Sequence, residues 1–255
     1  EALYKDLLIG VTCFFRDRKV FDELQKKIIP GIVNRINPKE LRIWVPACST
    51  GEEAYSIAMI IDDYLMKHGD MNIGYKIFAT DINRTFIYKA STGIFGIESM
   101  EQMDEYFQSK YFSRTENGTF RINKNIRNKI VFAHQNILND PPFIKIDLIS
   151  CRNLLIYLNN DTKRKLLSDL HFALNPDGYL LLGSSEALEE NSDTFKIADS
   201  GMKLYRKVDK KLHIERYLNI YPTKISSQSR LNNNFNELRA SEELQYLKIY
   251  LIYLH

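Results

Sequence analysis

Leu41-Arg42-Ile43-Trp44-Val45-Pro46-Ala47-Cys48-Ser49-Thr50-Gly51-Glu52-Glu53 is the stretch that decides the architecture. In its first five residues Leu41, Ile43, Trp44 and Val45 are apolar, β-branched or aromatic and only Arg42 is charged, which predicts a strand. Ala47 to Gly51 are small and turn-prone. From Glu52 to about Met66, the residues Ala54, Ile57, Ala58, Ile61 and Leu65 recur at helical spacing, so a helix follows. Strand, turn and helix make the opening of a βα unit. The rhythm continues outward, with strands predicted at 75–79 (ending at Asp81), 130–133 and 146–150. A helix over 161–174 is stopped by Asn175-Pro176-Asp177-Gly178, and 179–182 is a late strand.

Parallel strands joined by crossover helices predict an α/β fold with a doubly wound, mostly parallel sheet. Ligands of such sheets lie beyond the carboxyl ends of the strands. That rule selects 46–53, 80–84 and 150–157 for the chemistry. Two segments break the rhythm. Within 97–129, Arg114-Thr115-Glu116-Asn117-Gly118-Thr119-Phe120-Arg121-Ile122 is a turn between β-prone residues and predicts a small hairpin appendage. Residues 207–255 form a tail, with a polar linker from Ser226 to Asn236. Leu238, Leu244, Leu247 and Leu251 are spaced for an interaction helix over 235–254.

Composition excludes several classes. The 255 residues are 44% hydrophobic and 26% charged, an ordinary globular balance that argues against disorder and fibres. The net charge of +3 lies wholly beyond Arg206, because residues 1–206 carry 27 basic and 27 acidic side chains. No nucleic-acid footprint is present in the core domain. No apolar run approaches the roughly 20 residues of a membrane span, so no membrane insertion is expected. Cys13, Cys48 and Cys151 are odd in number and widely spaced, which fits neither a disulfide framework nor a metal site and favours a reducing, cytoplasmic location. The sequence opens on Glu1 rather than Met, and no signal-peptide pattern is visible.

Three ligands compete for the turn after the first strand. A dinucleotide calls for G-x-G-x-x-G at the helix start; here a single glycine is followed by Glu52 and Glu53, which would repel a pyrophosphate. A nucleophile elbow at Ser49 needs an acid and a His downstream, and Asp147 and His171 satisfy the order. S-adenosylmethionine carries a sulfonium and an ammonium, so acidic residues in the turn attract it, and Asp81 at the next strand end suits the ribose hydroxyls. Singly, Glu52 and Glu53 are also explained as helix-dipole partners, and Asp81 as a cap of the next helix.

Five blocks in order resemble the CheR family of chemotaxis methyltransferases: Thr12-Cys13-Phe14-Phe15-Arg16-Asp17, the stretch from Ile43 to Ser56, Ala79-Thr80-Asp81-Ile82, Cys151-Arg152-Asn153-Leu154-Leu155-Ile156-Tyr157-Leu158, and Gly178 to Glu186. The resemblance implies a class I, Rossmann-like S-adenosylmethionine-dependent domain over 1–206, with 97–129 as its β-subdomain. It also implies transfer of methyl groups to glutamates on the signalling helices of chemoreceptors. Carried over by position, Thr12, Arg16, Glu52, Asp81, Asn136, Ile137, Arg152 and Asn153 would hold the cofactor, and Arg16 and Tyr157 would stand at the reacting end. No metal is implied. Phe14 and Phe15 are expected in the core, Cys48 and Cys151 are expected as buried fillers, Asn136 is also explained as a turn closer, and Arg152 as an ion-pair partner of Asp147.

The sequence departs from the family at three places. An all-helical domain usually precedes the T-x-F-F-R segment, whereas eleven residues precede Thr12. Gly10 stands where Asn is often found. The 115–118 turn is short beside those of members that grip a receptor's C-terminal tether peptide, so independence from a tether is expected. These departures also leave open a second reading, a cofactor-binding docking module of a multidomain signalling protein that has lost turnover.

Overall fold

A computed structural model describes residues 12–35, 40–70, 72–101, 103–188 and 193–208. The chain divides into two units, Glu1–Lys210 and Lys211–His255. Gly10, the linker at 226–236 and the helix expected over 235–254 lie outside the described residues.

Seven strands form the main sheet: β1 (Glu40–Pro46), β2 (Gly74–Asp81), β6 (Ile130–His134), β7 (Ile146–Cys151), β8 (Leu174–Leu182), β9 (Phe195–Asp199) and β10 (Leu204–Lys207). Their spatial order is β6-β2-β1-β7-β8-β10-β9. The first five are parallel neighbours, and β10 runs antiparallel to both β8 and β9. All six residues of β7 are buried, as expected of a strand covered on both faces. The chain leaves β1 on one side for β2 and reaches β7 on the other, so the order reverses beside the carboxyl end of β1.

The helices follow their local signals. An N-terminal helical run consists of α1 (Arg18–Glu23), a π-helical turn (Leu24–Ile28) and α2 (Ile29–Val33). Helix α3 (Glu52–His68) starts at Gly51 and buries Ala54, Ile57, Ala58, Ile61 and Leu65. It ends at Gly69, which has φ +72°, a left-handed stop suited to glycine. Helix α4 (Arg84–Thr92) is capped by Asn83, whose side chain accepts the Thr85 and Phe86 N–H groups. The late helix (Asn160–Ala173) is capped by Asn159 and ends one residue short of the expected boundary. The Asn175-Pro176-Asp177-Gly178 signal proves to lie inside β8, not between helix and strand. The pairing jumps there from Ile146↔Leu174 to Leu148↔Tyr179, and Asp177 takes φ +62°. The turn chemistry is therefore absorbed as a bulge.

The appendage is a second sheet of three short antiparallel strands in the order β3-β5-β4: β3 (Ile94–Phe95), β4 (Phe112–Arg114) and β5 (Phe120–Ile122). The expected hairpin is β4–β5. Its turn is closed by Thr115 N–H on the Thr119 carbonyl at 2.8 Å and by a 2.7 Å contact between the two threonine hydroxyls. Helix α5 (Glu105–Tyr111) precedes β4 and the short α6 (Lys124–Arg127) follows β5. Phe14 is fully enclosed and meets Phe95 and Phe112 edge-on at 4.8 and 5.5 Å, so the segment before α1 fastens the appendage to the main sheet.

A charged strap fastens it a second time. The carboxylate of Asp63 on α3, 1% exposed, accepts Lys110 Nζ at 2.7 Å and Lys67 Nζ at 2.8 Å. Tyr106 OH at 2.5 Å and Gln25 Nε2 at 2.8 Å complete its shell. Burial alone would raise this carboxyl, but Lys110, Lys67 and Tyr106 together hold it down to about 2. The folded value lies below the unfolded one, so the stabilisation is complete above about pH 4 and is lost as the pH falls toward 2. Asp63→Asn is expected to lower stability by about 3 kcal/mol at neutral pH and to flatten the acid limb below pH 4. Urea titrations of both proteins from pH 7 to pH 3 check this.

Candidate cofactor and transfer site

The carboxyl ends of β6, β2, β1 and β7 lie side by side, and four connections meet above them. The 47–51 turn leaves β1 through three residues with positive φ: Ala47 (+53°), Ser49 (+50°) and Gly51 (+96°). A Cβ on Gly51 would stand 2.9 Å from Ala90 Cβ and 3.2 Å from the Phe132 ring, so this position takes only glycine. Cys48 N–H donates to the Thr80 carbonyl at 2.9 Å, and Ser49 N–H donates to Asp81 Oδ2 at 2.8 Å. Asp81 thus ties the tip of β2 to the turn after β1. Its other oxygen accepts Asn83 N–H at 2.8 Å, and Asn83, not Asp81, caps the helix that follows. The exit of β6 is bound to the same residue, with Gln135 N–H on the Asp81 carbonyl at 3.1 Å.

Glu52 and Glu53 look alike in sequence and differ in place. Glu52 is 4% exposed and receives the Thr50 hydroxyl at 2.7 and 2.9 Å. Burial pushes its carboxyl up, against the pull of the Thr50 hydroxyl. Asp81 is pushed up by burial as well, against the pull of the Asn83 and Ser49 amides. Glu53 accepts Ser150 Oγ at 2.7 Å and Arg152 Nη1 at 3.1 Å. It therefore faces the neighbouring strand end and belongs to a structural tie.

Arg152 is the centre of that tie. Its side chain is 1% exposed and is paired with both Glu53 and Asp17. Nη2 also donates to the Arg16 carbonyl at 3.1 Å. The pairing once open to Asp147 is absent: Asp147 accepts Arg42 N–H at 2.9 Å and Asn175 Nδ2 at 2.8 Å at the amino end of the strands. Arg152 fixes the backbone of the 12–17 segment, in which Phe15 and Asp17 have φ of +53° and +63°. Phe15 N–H donates to Ser56 Oγ at 3.0 Å, and Phe15 packs on Phe21 and Phe107. Both phenylalanines are core residues, as expected, and Arg16 between Phe15 and Asp17 is exposed.

Thr12, Asn136 and Ile137 are half-buried, and Asn153 is half-buried with φ +59°. Asn136 closes a local turn, its side chain accepting Leu138 N–H at 3.1 Å and its N–H donating to Asp140 at 2.7 Å. Tyr157 sits on a single 3-10 turn (Leu155–Tyr157) and is 63% exposed, so it is not a core residue. Cys48 and Cys151 are enclosed, and burial pushes both thiols well up, consistent with inert fillers. Among the described residues no group of three or more His, Cys, Asp and Glu could hold a metal ion. No helix there is long and apolar enough to cross a membrane.

The nucleophile-elbow reading fails on geometry. Asp147 is at the opposite end of the sheet from Ser49, and His171 Nε2 lies 3.1 Å from the Val208 carbonyl. The donor set fits a cationic, hydroxyl-bearing ligand. Burial raises two carboxyls here, Glu52 and Asp81, Asp81 receives the Ser49 N–H, and the Ser49 hydroxyl is buried with no hydrogen-bond partner among the described residues. No run of glycine amides is present to receive a pyrophosphate.

The family described as CheR methyltransferase, SAM binding domain, matches residues 10–204. The chain belongs to the CheR methyltransferase family. An uncharacterised 104.1 kDa protein of Rhodobacter capsulatus is 38% identical over 206 residues, 80% of this chain and 21% of that protein. A chemotaxis protein methyltransferase of Borreliella burgdorferi is 35% identical over 71% of this chain and 66% of its own. Chemotaxis protein methyltransferase 1 of Pseudomonas aeruginosa is 33% identical over 77% and 73%. The chain spans about a fifth of the first relative, and between 66% and 73% of the other two. In this CheR domain, S-adenosylmethionine is the cofactor, and the residues at the strand ends fit it.

Nothing in the sequence pointed to Ser150, Asp17 or Glu186 as part of the site. Glu53 was legible only as half of an acidic pair. Glu186 stood in a block used solely for the resemblance.

The raised carboxyls have opposite consequences for the fold and for binding. Their folded pKa lies above the unfolded one, so their contribution to ligand-free stability rises as the pH falls through it. A cation needs them ionised, so its affinity falls over the same range. Calorimetry with S-adenosylhomocysteine, whose ammonium is unchanged, is expected to show weaker binding at pH 5 than at pH 7.5. Glu52→Gln is expected to weaken binding about tenfold at pH 7.5 and to flatten the pH dependence.

Proposed function

We propose that this CheR domain methylates glutamate side chains on the signalling helices of chemoreceptors, forming γ-glutamyl methyl esters. The observation that carries the reading is the pair of carboxyls raised by burial beyond the carboxyl ends of adjacent strands, Glu52 at the helix start after β1 and Asp81 at the tip of β2, the latter tied to the turn between them by the Ser49 N–H. Bound there, S-adenosylmethionine supplies a methyl group activated by a sulfonium.

The chain's own residues are those such a reaction needs. A glutamate carboxylate is ionised at neutral pH, with an ordinary pKa of about 4.3, so no general base is required. What remains is to place the groups in line and exclude water, and such placement is worth up to about 7–11 kcal/mol. Glu52 and Asp81 hold the cofactor, with Thr12, Asn136, Ile137 and Asn153 lining the space around it. Arg16 is exposed on a backbone clamped by Arg152, and its planar fork is suited to an incoming carboxylate. Tyr157 is exposed on the turn after β7 and stands ready to orient the reacting groups. Arg152 acts through its hold on Arg16 and Asp17 rather than through a free guanidinium.

Partners are the cytoplasmic helices of receptors, and the place of action is the cytoplasm. The closed 115–119 turn and the three-residue edge strand β4 offer little main chain for strand addition, so docking proceeds without a C-terminal tether peptide. A pull-down with a receptor-tail peptide is expected to recover no tight complex.

Incubation with methyl-labelled cofactor and receptor-bearing membranes is expected to give label that base releases as volatile methanol. Arg16→Ala is expected to reduce transfer about 10²-fold or more with an unchanged melting temperature. Binding of S-adenosylhomocysteine without any transfer would replace this reading with that of a docking module.

A further inference from the structure

Glu186 is 4% exposed and lies outside the residues assigned to the cofactor or to transfer. Its carboxylate receives three main-chain N–H groups from two loops. Oε2 accepts Gly183 N–H at 2.7 Å and Asn153 N–H at 2.8 Å, and Oε1 accepts Leu155 N–H at 2.6 Å. Glu186 N–H in turn donates to the Gly183 carbonyl at 2.9 Å. The backbone after β7 has left its ladder, and its buried amides require acceptors. One carboxylate, reaching across from the loop after β8, supplies them. Asn153 has φ +59°, a conformation that persists in a non-glycine residue only when its surroundings enforce it. Leu155 is the first residue of the turn that carries Tyr157. The space around this contact is filled: a Cβ on Gly183 would stand 2.8 Å from Glu186 Oε2 and 2.9 Å from Asn153 N.

We propose that Glu186 is a positioning residue that holds Asn153 and the Tyr157 turn in their working places by binding the amides of 153, 155 and 183 at once. The inference rests on the functional reading above for what Asn153 and Tyr157 do, and on the geometry alone for the latch. Three N–H groups converge on two oxygens, so Glu186→Gln must turn an NH₂ toward at least one donor. The defect is then local, because no apolar volume is lost.

The latch itself is read in ligand-free protein by amide hydrogen exchange. In Glu186→Gln the amides of 153, 155 and 183 are expected to exchange at least tenfold faster than in the parent chain, and unchanged exchange would overturn the proposal. Its consequence is read by calorimetry with S-adenosylhomocysteine. Affinity is expected to fall about tenfold in Glu186→Gln and to stay unchanged in Leu170→Val, a core truncation in the late helix that tests for general loosening. Equal weakening in both variants, or in neither, would overturn the positioning role. Gly183→Ala, which crowds the same contact from the other side, is expected to reproduce the exchange defect. A parent chain that binds no S-adenosylhomocysteine would overturn the cofactor reading, and the exchange measurements would still decide the latch.

Discussion

The guanidinium of Arg152 is the contact through which the site is assembled. It is enclosed between Glu53 at the start of α3 and Asp17 before α1, and it bonds the Arg16 carbonyl. A buried cation without partners is costly, and a pair broken on one side is costlier than none. The three segments it joins are therefore held together as one unit: the N-terminal strap, the first turn of α3 and the end of β7. Removing both carboxylates would leave the charge stranded, and removing either one releases one of the segments from the clamp. The exposed position of Arg16 follows from this clamp and from the two phenylalanines packed beneath it.

Carboxyl groups in this domain are sorted by what faces them. Asp63 meets two ammonium groups and is held strongly ionised. Glu53 meets a guanidinium and a hydroxyl, and Glu186 meets three amides. Glu52 and Asp81 accept hydroxyl and amide donors and form no salt bridge with Lys or Arg among the described residues, His134 being the charged neighbour of Asp81, and burial pushes both up as it does Glu53. Asp63 and Glu53 are neutralised by cations of the protein itself, and Glu186 is saturated by three amides drawn from two loops. In the function proposed above, Glu52 and Asp81 are the carboxyls left for a cation from outside.

Much of the fold was legible because burial imposes periodicity. The spacing of Ala54, Ile57, Ala58, Ile61 and Leu65 marked α3, and Ile146, Leu148 and Ile149 marked the strand at 146–150. The β9–β10 hairpin was not legible. Its burial alternates weakly, and its pairing to β8 is a long-range contact that no local pattern encodes. The turn signal at 175–178 was read correctly as chemistry and wrongly as a boundary, since a bulge and a chain reversal use the same residues. Within the site, Glu52 and Asp81 were found by their place after strands, whereas the roles of Glu53, Ser150 and Glu186 required knowing which loops meet.

By itself the sequence determined the α/β class, the end of the sheet that carries the chemistry, and the acidic character that disfavours a phosphate-bearing cofactor. Those properties depend on residue type and near-neighbour spacing. Only the tertiary structure decided which of two adjacent glutamates is tied to Ser150 and Arg152, and that Arg152 is a clamp rather than a partner of Asp147. It also decided that Ser49, Asp147 and His171 never meet. Each of these depends on which strand ends lie side by side, and that is fixed by the packing of the whole sheet.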